Sequence, residues 1–198
     1  MHNISSQREI NAYKLKLRPV MQSDLEQLRQ WRNSPEIRKN MLSQTIISTE
    51  QQKKWFKTQC LQRENKQETE RIFHFVVEYK GRSIGYANFI AADKMIESAK
   101  DSDTKPENGQ TSLYIGETKY RGTILAFCLA LALLDFVFLD YGETELDAIV
   151  LTHNLAALRF NEKLGYQIQS KEQDIIKMHL TKEHYLQAKQ ELEKIIRI

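Results

Sequence analysis

The run ILAFCLALALLDFVFL, Ile124–Leu139, limits what this chain can fold into more than any other stretch. Read as a helix, it is apolar on every side, with Asp135 its only charge, so most of its surface must be covered. A bilayer span needs about twenty apolar residues, which the run does not reach. A sheet formed by the rest of the chain is the cover that remains. The chain has 198 residues, 41% of them hydrophobic, enough to fill one core, and a single domain over residues 1–198 is expected.

Strand and helix signals alternate on both sides of that run. YKLKLRPV, Tyr13–Val20, has period two and reads as an opening strand. Ser23 and Glu26 have the spacing of a capping box ahead of Leu25, Leu28 and Trp31, which recur at helical spacing until Ser34 and Pro35. STEQQKKWFKTQCLQ starts a second helix in the same way. RIFHFVVEYKGRSIGYANFI reads as two strands turned at Lys80 and Gly81. Periodicity is lost from Ala91 to Asn108, where a loop is expected, and returns as strands in QTSLYIGE and ELDAIVL on either side of the apolar helix. Asn154 is a good N-cap for LAALRFNEKL, and Gly165 stands where a left-handed C-terminal residue belongs. Strand, helix, strand, helix in this order predicts parallel strands where helices cross over. YQIQSKEQDIIKMHL supplies two more strands. A terminal helix follows, with Tyr185, Ala188, Leu192 and Ile195 on one side; that side docks on the sheet or pairs subunits.

Composition excludes several function classes. A net charge of +3 with both signs interspersed gives no nucleic-acid footprint but suits a small anionic ligand. Cys60 and Cys128 have neither metal nor disulfide spacing, so no metal is expected, and a reducing cytoplasm is the simplest location. The opening MHNISSQREINAYK has no apolar segment of the kind a signal peptide needs, and no membrane association is expected.

Three stretches carry a resemblance to a known family: YIGETKYRGTILA, NLAALRFNEKLGYQ, and LRPVMQSDLEQLRQWRNSPEIRKNM together with ISTEQQKKWF. Together they resemble the GNAT superfamily of acyl-CoA-dependent N-acyltransferases over nearly the whole chain. Within it, the order Trp31-Arg32-Asn33, Ile37-Arg38, Met41 and Trp55 is similar to enzymes that acetylate nucleotide-linked amino sugars in pseudaminic acid synthesis. Ribosomal-protein N-terminal acetyltransferases are the next likeness. The resemblance implies an α/β (α+β) fold: a mixed, mostly antiparallel sheet of about seven strands, splayed between the fourth and fifth and flanked by helices.

It also implies acetyl-CoA as co-substrate. Arg121, Gly122, Thr123, Ile124, Leu125 and Ala126 fall on the family's pyrophosphate turn, where a helix N-terminus offers unpaired N–H groups and partial positive charge. Ile124 replaces the middle glycine, and its amide serves if its side chain turns toward the sheet; otherwise Arg121 is a solvated charge and Gly122 a loop end. Leu113, Tyr114 and Ile115 fall on the strand that holds the pantetheine arm and thioester carbonyl. Asn154, Ala157, Phe160 and Asn161 fall on the helix beside it.

Asn161 occupies the position of a tyrosine that protonates the leaving sulfur in many members; it cannot act as an acid but can donate a hydrogen bond. Where relatives place a glutamate base, this chain has Ile149, with Asp147 two residues earlier. That pattern leaves no direct carboxylate base, and His153, directly or through water, and Glu78 through water are the candidates. Trp31, Arg32, Asn33, Arg38 and Trp55 lie on the acceptor side, the arginines as phosphate partners or surface charges, the tryptophans as stacking platforms or core. The function implied is transfer of an acetyl group to a small-molecule amine, a nucleotide-linked amino sugar first, by a monomer or homodimer. Acetylation of a protein N-terminus, and a non-catalytic acyl-CoA-binding or interaction module, are the alternatives.

Overall fold

Tyr13 and Lys14 adopt positive φ (52° and 62°) and turn the chain sharply, so the expected opening strand begins at Leu15 as β2 (Leu15–Pro19) and is preceded by a further strand, β1 (Ile10–Ala12), paired antiparallel with it. The computed structural model describes residues 8–61, 72–92 and 108–196. Most of the expected loop between Ala91 and Asn108 lies outside the described residues. A single 3-10 turn, Gln22–Asp24, leads into α1 (Leu25–Asn33). Here the cap differs from the expected Ser23–Glu26 pair, because Asp24 Oδ2 accepts from the Met21 amide at 2.8 Å. Pro35 opens the short α2 (Pro35–Arg38). The Ser48 hydroxyl accepts from the Gln51 amide at 3.2 Å while the Gln51 side chain accepts from the Ser48 amide at 2.8 Å, which starts α3 (Thr49–Phe56) as a capping box.

The hairpin of β3 (Ile72–Tyr79) and β4 (Arg82–Ile90) turns on Lys80 and Gly81, both at positive φ as a tight hairpin requires. Strand β5 (Gly109–Ile115) precedes the apolar helix α4 (Leu125–Asp135), in which every residue from Cys128 to Leu134 is buried. After β6 (Glu145–Leu151), Asn154 caps α5 (Leu155–Lys163) by accepting from the Ala157 amide at 3.2 Å. Gly165 follows at φ 98°. Strands β7 (Gln167–Glu172) and β8 (Ile175–Thr181) and helix α6 (Lys182–Ile196) complete the chain.

The strands form one sheet in the order β1-β2-β3-β4-β5-β6-β8-β7, eight rather than about seven. All neighbours are antiparallel except β5 and β6, which run parallel across the α4 crossover. The second crossover does not create a parallel pair as expected, because β8 inserts between β6 and β7. Alternation divides the sheet into two faces. Phe73, Phe75 and Phe89 pack with Phe136 and the α4 side chains on one. Val76, Tyr86 and Tyr114 lie under α1, α2 and α3 on the other, with Leu28, Trp31 and Ile37. Trp31 also explains Gly116, where a Cβ would stand 2.1 Å from the indole.

On α6, Tyr185 and Leu192 are buried on the molecule's own core, whereas Ile195 is 68% exposed, contrary to the expected stripe. Asp135, the one charge in the apolar run, is held there. Its carboxylate accepts from Tyr13, Tyr185 and Lys189 at 2.6–2.8 Å and ties α4 to α6 and to the β1–β2 turn.

Candidate active site

Strands β5 and β6 share only two registered pairs, Gly109 with Leu146 and Gln110 with Asp147. Beyond them the strands part, so β5 from Thr111 onward and β6 from Ala148 onward lose each other as hydrogen-bond partners. A backbone group in a sheet interior must bond to something, and here the fork leaves those groups open to the cleft. The fork opens into a cleft of about 1040 Å³. Thr111–Tyr114 and Ala148–Val150 form its sides, Asn154, Ala157, Phe160 and Asn161 of α5 one wall, and Arg32, Gln52, Trp55 and the segment 40–47 the other. The parting falls between the fifth and sixth strands, one later than expected, because the Tyr13–Lys14 turn adds a strand at the start.

The expected pyrophosphate turn sits at the N-terminus of α4. The Gly122, Thr123 and Ile124 amides have no partner among the described residues, whereas Leu125 donates weakly to the Thr123 hydroxyl at 3.4 Å. Gly122 has φ 68°, a conformation glycine takes without strain. Two expectations for this turn are corrected. Ile124 does not turn toward the sheet but is 43% exposed, so its amide is open for a different reason. Arg121 is not a free charge: its Nε and Nη2 donate to the Ile115 and Gly116 carbonyls at 3.1 and 2.5 Å and fasten the end of β5. Leu125 and Ala126 pack against the main core, and Ile115 is buried in it rather than lining the cleft.

On the acceptor side, the residues expected there divide. Trp31 is buried and its indole donates to Glu117 at 3.2 Å; it is core, not a stacking platform. Asn33 is spent as a clamp, donating to the Ile47 carbonyl at 2.9 Å and accepting from the Ile47 amide at 2.8 Å. Neither lines the cleft, nor does Arg38. Arg32 and Trp55 do. Arg32 Nη2 donates to the Ser43 carbonyl at 2.6 Å, but its Nη1 is buried and has no partner. Burial pulls the guanidinium below its ordinary pKa, with Tyr114 opposing the shift and Arg38 adding a smaller pull in the same direction as burial. Tyr114 lines the cleft near Arg32, and burial pushes its hydroxyl well above its ordinary value.

The candidates for proton transfer are also rearranged. Glu78 is engaged by Arg18 at 2.6 Å, which removes it as a base. His153 lies outside the cleft, its Nε2 3.0 Å from the Lys39 carbonyl. Asp147 lies at the apex of the fork, accepting from Asn108 and lying 2.9 Å from His179 Nδ1. Asn161 lines the cleft with its amide donating to the Met178 sulfur at 3.8 Å. Tyr86 and Gln52 are cleft residues that the sequence reading passes over. For Tyr86 a signal exists: His74, Tyr86 and Tyr114 alternate onto one face of three adjacent strands, and His74 Nδ1 lies 2.6 Å from the Tyr86 hydroxyl. No group of metal-ligating side chains occurs among the described residues, and no helix there is long and apolar enough to cross a membrane.

Solved structures share this architecture. The apo form of FdhC, a nucleotide-linked sugar GNAT, matches with a TM-score of 0.70 and 18% identity, covering 96% of this chain and 99% of that one. The aminoglycoside acetyltransferase AAC(6')-Ib in complex with coenzyme A matches at 0.68 and 20% identity, over 88% and 99%. Spermidine N-acetyltransferase from Vibrio cholerae with CoA and spermine matches at 0.68 and 19% identity, over 87% and 98%. No curated protein sequence matches. The family model of the acetyltransferase (GNAT) domain matches residues 14–167, and the chain therefore belongs to the GNAT family of acetyltransferase enzymes.

Proposed function

We propose that this enzyme transfers the acetyl group of acetyl-CoA to the amine of an anionic small molecule, a nucleotide-linked amino sugar. One observation carries the choice of acceptor. Arg32 lines the acceptor side of the cleft with a buried, unpartnered Nη1, and no carboxylate pairs with it among the described residues. A guanidinium drawn out of water without a counter-charge favours a ligand that brings one, and phosphate matches its geometry. Spermidine or an aminoglycoside would set like charge against it. The broad coverage of the nucleotide-linked sugar GNAT supports the same reading.

The residues of the chain fit the co-substrate. Three open amides ahead of α4 suit a pyrophosphate, and the fork suits an extended arm running between β5 and β6. Acetyl-CoA supplies a thioester whose carbonyl a neutral amine attacks, with thiolate leaving. Tyr114 and the unpaired backbone of β5 stand where they orient the carbonyl, and Asn161 lies on the facing wall as a donor to the departing sulfur once it releases Met178. A sugar amine is less basic than a lysine side chain at about 10.4, so it needs only a weak proton acceptor, and Asp147 is the carboxylate at the apex.

The test is steady-state acetylation of a UDP-linked amino sugar, spermidine, kanamycin and a short peptide N-terminus. The nucleotide sugar is expected to have the highest kcat/KM, with Arg32→Gln reducing it about 10- to 100-fold, mainly through KM. Preference for a polycation, or an unchanged Arg32→Gln enzyme, overturns the proposal.

A further inference from the structure

Gln52 is the one polar or charged residue in the buried class among the described residues, 7% exposed. Its backbone amide belongs to α3, donating to the Ser48 carbonyl at 3.0 Å, whereas its side-chain amide makes no hydrogen bond among the described residues and is open to the cleft. The adjacent Gln51 is occupied at the helix cap, so a polar side chain at 52 is not needed to start α3. Gln52 shares the inner side of that helix with Trp55 and Phe56, at spacings of three and four residues, and with Trp55 it lines the cleft.

An apolar side chain of the same length would pack the inner side of α3 as well, so the hydrogen-bonding capacity of the Gln52 amide serves whatever occupies the cleft. Beside it Arg32 Nη1 is buried without a partner, and the Tyr114 hydroxyl, which interacts electrostatically with Arg32, makes no hydrogen bond among the described residues. Arg32 can only donate, whereas an amide both donates and accepts. The ligand such a trio fits has an oxygen that accepts from Arg32 and, close by, a neutral group that both donates and accepts.

We infer that Gln52 is the specificity-determining residue of the acceptor site. It hydrogen-bonds a neutral hydroxyl or amide substituent of the acceptor, next to the group taken by Arg32. The inference rests on the reading of the cleft as the site where an amine is acetylated, but it does not require that the acceptor be nucleotide-linked. It adds a requirement that charge alone does not supply: the acceptor must carry an uncharged polar substituent as well as its amine. A site that hydrogen-bonds such a group rejects analogues lacking it far more strongly than an apolar pocket does.

The experiment compares the unaltered enzyme with Gln52→Met, which keeps the length and loses the hydrogen bonds. It measures kcat and KM for a UDP-linked amino sugar, kanamycin and spermidine, and thermal unfolding without acceptor. The expected result is a kcat/KM for the best hydroxyl-bearing acceptor lower by about 10- to 100-fold through KM, with an unfolding temperature unchanged or raised. Turnover of the nucleotide sugar with equal kcat/KM for both enzymes overturns the role of Gln52 and leaves the proposed function standing. Preference for kanamycin with the loss at Gln52→Met does the reverse. Spermidine as the best acceptor, or no turnover of any of the three, overturns both. A lower unfolding temperature for Gln52→Met shows that the amide has an internal partner, and the inference fails.

Discussion

Replacing Asp135 with alanine tests whether the single charge in the apolar helix is a structural joint. The carboxylate accepts from Tyr185 at 2.6 Å, Tyr13 at 2.8 Å and Lys189 at 2.7 Å on each oxygen. After its removal the Tyr185 hydroxyl, on a fully buried residue, keeps only the Leu131 carbonyl at 3.3 Å. Lys189, with its side chain 18% exposed, keeps only Glu193 at 3.6 Å. Breaking one side of such a pair costs about 3–5 kcal/mol. In a domain of this size 1 kcal/mol corresponds to about 2–4 °C, so Asp135→Ala is expected to lower the unfolding temperature by about 10 °C. Tyr185→Phe removes a single donor to a charged group and costs about 1.5–3 kcal/mol. The double variant falls short of the sum, because the hydroxyl that Asp135→Ala strands is then absent. Circular dichroism melts of the three proteins provide the check. A shift below about 3 °C for Asp135→Ala, or strict additivity, refutes the joint.

At the α4 N-terminus the backbone and the side chain of Ile124 can be tested separately. Its φ of −59° suits proline and its amide has no internal partner, so Ile124→Pro removes a donor and little else. Calorimetry is expected to show acetyl-CoA binding about tenfold weaker, with Ile124→Ala unchanged because the side chain is exposed; the opposite ranking contradicts the assignment. A second expectation concerns alkaline pH. Burial pushes the Tyr166 hydroxyl up from 10.0 to about 12 and shifts Tyr13, Tyr114 and Tyr185 in the same direction. These groups stay neutral in the native protein while the unfolded chain releases their protons from about pH 10, so their contribution is complete below that pH and lost as pH rises through about 12. The urea midpoint should fall over this range, and native absorbance at 295 nm should show fewer than the eight tyrosines ionising near pH 10.

The sequence by itself determined the features whose partners lie within a few residues. The Lys80–Gly81 turn, the Ser48–Gln51 box, the Asn154 cap and the left-handed Gly165 are closed by local hydrogen bonds or local torsions, so the residues that make them stand together in the chain. The buried helix Leu125–Asp135 was legible because its whole circumference is apolar and must be covered. Tertiary structure alone decided which polar side chains were already engaged. Asn33 is bound to Ile47, Glu78 to Arg18 sixty residues away and His153 to Lys39, so residues that look available in the sequence are not. The opposite also holds for Arg32, whose Nη1 is buried without a partner, and for Gln52, whose amide opens onto the cleft; both depend on how α1 and α3 close over the sheet. Hydrogen-bond capacity is written in the residue type, but whether it is satisfied depends on distances between elements far apart in the chain.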